Sequence, residues 1–218
     1  MISKNKFKLV CGVGINDASY NINIKEELPK VNGKRKQKFI WVCPYYQKWL
    51  DMIKRCYRTD KSKNPTYKDC SVCNEWLTFS NFRRWMEQQN WEGKALDKDL
   101  LIYQNKVYSP ETCCFVPQEI NSFLTKCNKS RGQHPLGVDR IKRCAKFRCR
   151  INNGTGGNEY LGLYASEQAA HKAWQLAKME RCMLLIEQQT DTKVIAGLER
   201  VYIKIQNDYI NNIETVDF

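Results

Sequence analysis

The run from Gly137 to Gln189 constrains the fold more than any other part of the chain. GVDRIKR, KFRCRIN and EYLGLY are three short segments of strand character, the last two separated by the glycine-rich turn NGTGGN. SEQAAHKAWQLAKMERCMLLIEQQ follows and predicts one long helix, with Ser166 as its N-cap and Glu167 close behind. Ala170, Trp174, Ala177, Met179 and Leu184 supply most of its apolar face. Three strands and then a helix predict a small antiparallel sheet with the helix packed across one side. Strand periodicity puts Lys146, Arg148 and Arg150 on one face, and Arg140 and Lys142 on one face of the strand before, with Arg143 just after. An arginine fork can bond guanine bidentately or grip phosphate, and Tyr160 on the third strand adds a backbone contact. The sheet is therefore expected to read DNA; the plainer alternative is a solvated basic face.

Charge supports the first reading. The 218 residues carry 36 Lys and Arg against 23 Asp and Glu, a formal net charge of +13, so a polyanionic partner is the default expectation. Between Lys126 and Arg150 lie nine Lys or Arg and a single acid, Asp139; a smaller cluster, GKRKQK, spans Gly33 to Lys38. Hydrophobic residues at 42% and aromatics at 11% exclude a mainly disordered chain. No apolar run approaches the roughly 18 residues of a membrane span, and lysines interrupt the N-terminal MISKNKFKLVCGVG where a signal peptide needs an apolar core. These features predict a soluble, intracellular, cytoplasmic protein without a membrane partner. In that compartment the eleven cysteines are reduced thiols, packed side chains or metal ligands. RNA recognition has no RNP-type aromatic motif or GXXG loop behind it.

The predicted class is α+β. Residues 1–42 form an arm of open role, with an edge strand at Ile15 to Ile24 and a basic turn from Asn32 to Lys38. Residues 43–127 form a first domain. Within it, PYYQKWLDMIKRCY is a helix begun by Pro44, with Tyr46, Trp49, Leu50, Ile53 and Tyr57 on its apolar face. FSNFRRWMEQQ is a second helix, capped by Ser80 and burying Phe82, Trp85 and Met86. KALDKDLLIYQNKVYSPETCCFVP reads as two short strands around a polar turn, and QEINSFLTKC starts a helix presenting Ile120, Phe123 and Leu124. The sheet-and-helix module occupies 134–190, and 191–218 ends the chain with a helix over Ala196 to Ile213 or a tail.

Two constellations could carry chemistry. Asp97 and Asp99 share a strand face and could hold Mg²⁺, a hard cation that prefers oxygen ligands. Lys98, protonated at its ordinary pKa of about 10.4, suits a phosphate clamp better than a base. The alternative is that the three residues merely cap a hairpin. Cys70-x-x-Cys73 has zinc-ligand spacing and could recruit Cys113 and Cys56 into a structural Zn²⁺ site; otherwise these are small buried residues.

WLDMIKRCY, Tyr67, VCNEW at Val72 to Trp76, Phe79, Phe82, LDK at Leu96 to Lys98 and YSPETC at Tyr108 to Cys113 resemble a phage family described as H-N-H homing endonucleases. About 80 residues are covered. The resemblance implies a ββα core holding one divalent metal against a scissile phosphate. Asp97 would precede the general-base position, Asn105 would lie in the hairpin loop, and Asn121 would close the set at the helix. The base, normally histidine, falls at Lys98 or Asp99; the chain's two histidines, His134 and His171, lie elsewhere. The second module resembles the APETALA-two/ethylene-response-factor DNA-binding fold through Gly137-Val138, Lys146-Phe147, Arg150-Ile151, Tyr160-Leu161-Gly162, Tyr164 and Glu167, Ala169, Ala170, Ala173. It implies a sheet laid in the major groove. Two functions follow: a phage double-stranded-DNA-binding protein acting inside a bacterial host, its cleavage put in doubt by the absent histidine, or an active metal-dependent, site-selective DNA endonuclease.

Overall fold

A computed structural model describes residues 9–32, 34–58, 67–125, 133–141, 143–154 and 156–218, apart from the side chains of Lys30, Val31 and Lys34. It is a mixed α+β chain with several small sheets, and it divides into two compact units, 1–91 with 104–113 and 92–103 with 114–218. The run KALDKDLLIYQNKVYSPETCCFVP, expected as two short strands around a polar turn, is therefore shared between them.

The first unit opens with a two-stranded antiparallel ribbon, β1 (Asn23–Val31) and β2 (Lys34–Val42). The edge strand thus begins later than expected, and most of the basic run extends as a strand instead of turning. Ile15 still makes a single parallel bridge to Thr78. Helix α1 (Pro44–Tyr57) begins with proline, whose missing N–H costs nothing in a first turn. It buries Trp49, Met52, Ile53 and Cys56. Strand β3 (Ser71–Val72), a 3-10 turn (Glu75–Leu77) and helix α2 (Phe79–Met86) follow. Thr78, not Ser80, is the N-cap residue of α2; the Ser80 amide donates to Asp17 Oδ1 at 2.9 Å. The motif residues form the core. Trp49 Nε1 donates to Trp76 O at 2.7 Å, Trp49 packs on Phe79, and Trp76 meets Phe82 edge-on at 5.0 Å. Tyr57 Oη accepts the Val72 amide at 2.9 Å, holding β3 against α1.

In the second unit β4 (Ala95–Asp97) pairs antiparallel with β6 (Cys114–Val116), and α3 (Gln118–Leu124) follows. Three short strands therefore stand where sequence reading expects two, because β5 (Val107–Tyr108) belongs to the first unit and pairs parallel with β3. Strands β7 (Val138–Ile141), β8 (Lys146–Asn152) and β9 (Asn158–Tyr164) form the expected antiparallel sheet. Helix α4 (Glu167–Glu187) packs against it, and α5 (Thr192–Ile210) packs on α4. Ser166 Oγ accepts the Ala169 amide at 3.2 Å, the expected cap. Asp191 caps α5 through the Lys193 and Val194 amides.

One core joins Val138, Cys149 and Ile151 of the sheet to Trp174, Cys182 and Leu185 of α4 and Leu198, Val201 and Ile205 of α5. Leu185 faces inward and Leu184 is exposed, a one-residue departure from the expected stripe. The helix also buries His171, Gln175 and Lys178. These polar side chains are bonded, as burial demands. His171 Nδ1 lies 3.0 Å from Leu136 O while its Nε2 accepts the Thr215 amide at 3.0 Å, which fixes a neutral ring. Gln175 donates to Thr215 Oγ1 at 2.9 Å, and Thr215 donates to Asp208. Lys178 donates to Phe123 O beneath the Phe123 and Phe218 rings. Among the described residues no helix is long and apolar enough to cross a membrane.

Candidate nucleic-acid interface

Register decides which side chains the sheet turns away from α4. Val138 pairs with Cys149, both buried, so their neighbours Asp139 and Arg148 point to the open face. Lys146, Arg148 and Arg150 alternate along β8 on that face, with Ile141 opposite Lys146, Leu163 opposite Arg148 and Tyr160 opposite Arg150. Tyr160 and Leu163 are among the exposed large side chains. A register shift between Cys149 and Arg150 lets Leu161 pack on the core while Tyr160 stays outside.

The lone acid of the basic stretch organises this face. Arg148 donates to Asp139 through Nη2 at 2.7 Å and Nε at 3.3 Å. Arg150 approaches the same carboxylate through Nη2 at 2.9 Å and Nε at 3.1 Å. Burial works to raise the Asp139 carboxyl, but the two guanidiniums outweigh it and hold it below the ordinary carboxylate range. The Arg148 guanidinium is stabilised in return. Two arginine forks are thus splayed from one anchor on an open, net-positive surface.

Arg140 does not share that surface. It pairs with Phe147, so it projects on the helix side of the sheet, where it is exposed. Arg143 is exposed in the β7–β8 turn, and Lys142 lies outside the described residues.

The Asp97 turn has a different character. Asp97 Oδ1 accepts the amides of Asp99 at 2.9 Å and Leu100 at 2.7 Å, so the carboxylate caps its own turn. Burial raises its pKa despite these bonds. Lys98 is buried and its ammonium engages Asp99, which is exposed. Arg200 of α5 closes over the turn, donating to Leu100 O at 3.2 Å and stacking near Tyr103. Burial lowers its pKa, and its enclosed Nε has no hydrogen-bond partner among the described residues. Sequence reading misses Arg200 because it lies 101 residues from Asp99. Gly197, one turn earlier, admits the loop: a Cβ there would lie 2.6 Å from Leu100 Cγ. Asn121 sits within α3, its amide bonded to Pro117 O, and α3 packs beside β4. Asn105 belongs to the first unit, where its side chain staples its own turn through both Val107 backbone groups.

The donors expected to hold metals are partly engaged in bonds of their own. The Lys98 ammonium engages Asp99 Oδ1, and Asp97 Oδ1 is shared by two amides, so a divalent ion here would draw on the Oδ2 atoms of the two carboxylates. Among the described residues no three His, Cys, Asp or Glu side chains gather to hold a metal. Cys56, Cys70 and Cys113 are buried in the first unit, and burial pushes the half-buried Cys73 thiol up.

No family model matches the chain, and neither a curated protein nor a solved structure matches it.

Proposed function

We propose that this chain binds double-stranded DNA through the open face of β7–β8–β9. The observation that carries the reading is the pair of arginine forks held by Asp139 on a face the helix leaves uncovered, with Lys146 and Tyr160 beside them. A β-ribbon or small sheet fits the major groove, and guanidinium forks match guanine edges and phosphates. The resemblance of this module to the APETALA-two fold points the same way.

Binding to a labelled duplex, followed by fluorescence anisotropy across a salt series, tests this. Replacing Arg148 and Arg150 by Gln should lower the slope of log K against log salt by about 1.8 and weaken binding roughly thirtyfold at 0.15 M salt. Unchanged affinity and slope would refute the assignment.

A second reading, an H-N-H-type endonuclease, draws on one observation: Asp97 and Arg200, near each other, both have displaced protonation equilibria, a recurrent property of active sites. Metal-dependent nicking of supercoiled plasmid that disappears in Asp97→Ala would establish it. No nicking with Mg²⁺ or Mn²⁺ leaves DNA binding as the function.

A further inference from the structure

We infer that the β1–β2 ribbon of the first unit is a second, separate DNA-contacting element. The inference rests on the reading of this chain as a DNA-binding protein and adds a surface which that reading does not use.

The ribbon is two strands of nine residues, roughly 30 Å long at about 3.4 Å per residue. Almost every described side chain on it is exposed, on both faces. An isolated two-stranded ribbon is marginal in water, so one whose described side chains stay mostly exposed gains stability from a partner. Its charge identifies that occupant. From Asn23 to Val42 there are six Lys or Arg and two Glu, a balance of +4. The acids, Glu26 and Glu27, sit on β1, whereas β2 carries Lys34, Arg35, Lys36 and Lys38 without an acid. Among the described residues no acidic side chain lies within ion-pair distance of Arg35, Lys36 or Lys38.

These cations differ from Arg148 and Arg150, which share an internal carboxylate. Lys36 and Lys38 lie on one face of β2 and Arg35 on the other, so both faces offer positive charge. A two-stranded ribbon fits the major groove, whose walls are phosphates. Duplex DNA is therefore the partner that shape and charge together select. Trp41, Ile40 and Phe39, also exposed, lie at the opposite end from the turn, leaving the basic end of β2 as the leading part.

The experiment uses the full chain. Wild type is compared with Arg35→Gln/Lys36→Gln/Lys38→Gln, with the charge-retaining Lys36→Arg/Lys38→Arg, and with Arg148→Gln/Arg150→Gln, by anisotropy on a 30-base-pair duplex across a salt series. The ribbon triple should lower the salt slope by about 2.7 and weaken binding roughly a hundredfold at 0.15 M salt. The charge-retaining pair should match wild type, and all variants should keep the wild-type circular dichroism. If the ribbon triple binds like wild type while the sheet pair loses affinity, this inference is overturned and the sheet reading stands. If the ribbon triple loses affinity and the sheet pair does not, the sheet reading falls and the ribbon stands. Wild-type binding without salt dependence would overturn both. If Phe39→Ser/Trp41→Ser alters the sedimentation mass while the ribbon triple leaves DNA binding intact, the ribbon docks a second copy of the chain and the DNA assignment is wrong.

Discussion

Replacing Asp139 by Asn should tighten DNA binding. In the wild type the carboxylate lies 2.7 Å from Arg148 Nη2 and 2.9 Å from Arg150 Nη2, so any phosphate gripped by either fork also meets this negative charge. With about 7 Å between carboxylate and phosphate and an effective dielectric constant of about 40, the repulsion is about 1.2 kcal/mol per phosphate. Screening over a Debye length of about 8 Å at 0.15 M salt reduces this to about 0.5 kcal/mol. Two phosphates give about 1 kcal/mol, a roughly fivefold gain in affinity. Asn keeps the shape and an acceptor oxygen but no longer fixes both forks, so preference among duplex sequences should narrow as overall affinity rises. Anisotropy on one duplex and on a pool of random duplexes, from 50 to 300 mM salt, reads both effects. Affinity for the random pool that is unchanged or weaker, in a variant with wild-type circular dichroism, would show that these arginines do not face the nucleic acid.

Three further outcomes follow from the packing. Gly137→Ala should destabilise the second unit by roughly 3 kcal/mol or more, since φ is +79° and the new methyl would lie 2.0 Å from Trp174 Cδ1; a urea midpoint equal to wild type would contradict the contact. Asp97→Ala should cost about 1–2 kcal/mol through two lost amide caps. Asp97→Asn should not, and because burial raises the folded pKa of Asp97, the wild type loses stability as pH rises through that pKa. The advantage of the Asn variant should therefore grow from pH 4 to pH 7, and a flat difference in melting temperature would refute the burial of charge. Native-state alkylation at pH 8, read by peptide mass spectrometry, should label exposed Cys144 quickly and spare Cys149 and Cys182, whose thiols burial pushes up to about 12; equal rates would mean that the core is open.

The second module is legible in sequence because its signals are local. Alternation, a glycine-rich turn and a serine cap each act within a few residues, and β7, β8, β9 and α4 fall where they point. What escapes is set by long-range pairing. Nothing near Val107 shows that it pairs with Ser71, which removes β5 from the hairpin expected between Leu96 and Val116. Arg140 reads as part of the basic face until its register opposite Phe147 turns it to the other side. Asp139 looks incidental in a run of cations, yet it is the residue that both arginines share. The helix stripe slips by one residue at Leu185 because His171, Gln175 and Lys178 occupy buried positions that an apolar template skips.

Binding and cleavage make different demands on the groups that this chain has in place. Hydrolysis needs an atom free to take a proton from water and an oxygen free to hold a metal. In the Asp97 turn the bonds already made are structural: Asp97 Oδ1 caps two amides, and the Lys98 ammonium engages Asp99 Oδ1. Catalysis there would have to use the Oδ2 atoms of Asp97 and Asp99, beside oxygens already engaged in shaping the loop. The open sheet faces no such conflict. Arg148 and Arg150 already hold an anion, and the proposed binding of DNA would exchange part of one carboxylate for a phosphate or a guanine edge, with the forks oriented beforehand and little ordering left to do. The two basic surfaces differ in the same respect. On the proposed reading the anchored forks would lose little freedom on binding and could discriminate among bases, whereas Arg35, Lys36 and Lys38, with no carboxylate in ion-pair distance among the described residues, would contribute charge. Selectivity should therefore follow Asp139 and its two arginines, and the salt dependence should follow Arg35, Lys36 and Lys38 more strongly than the sheet.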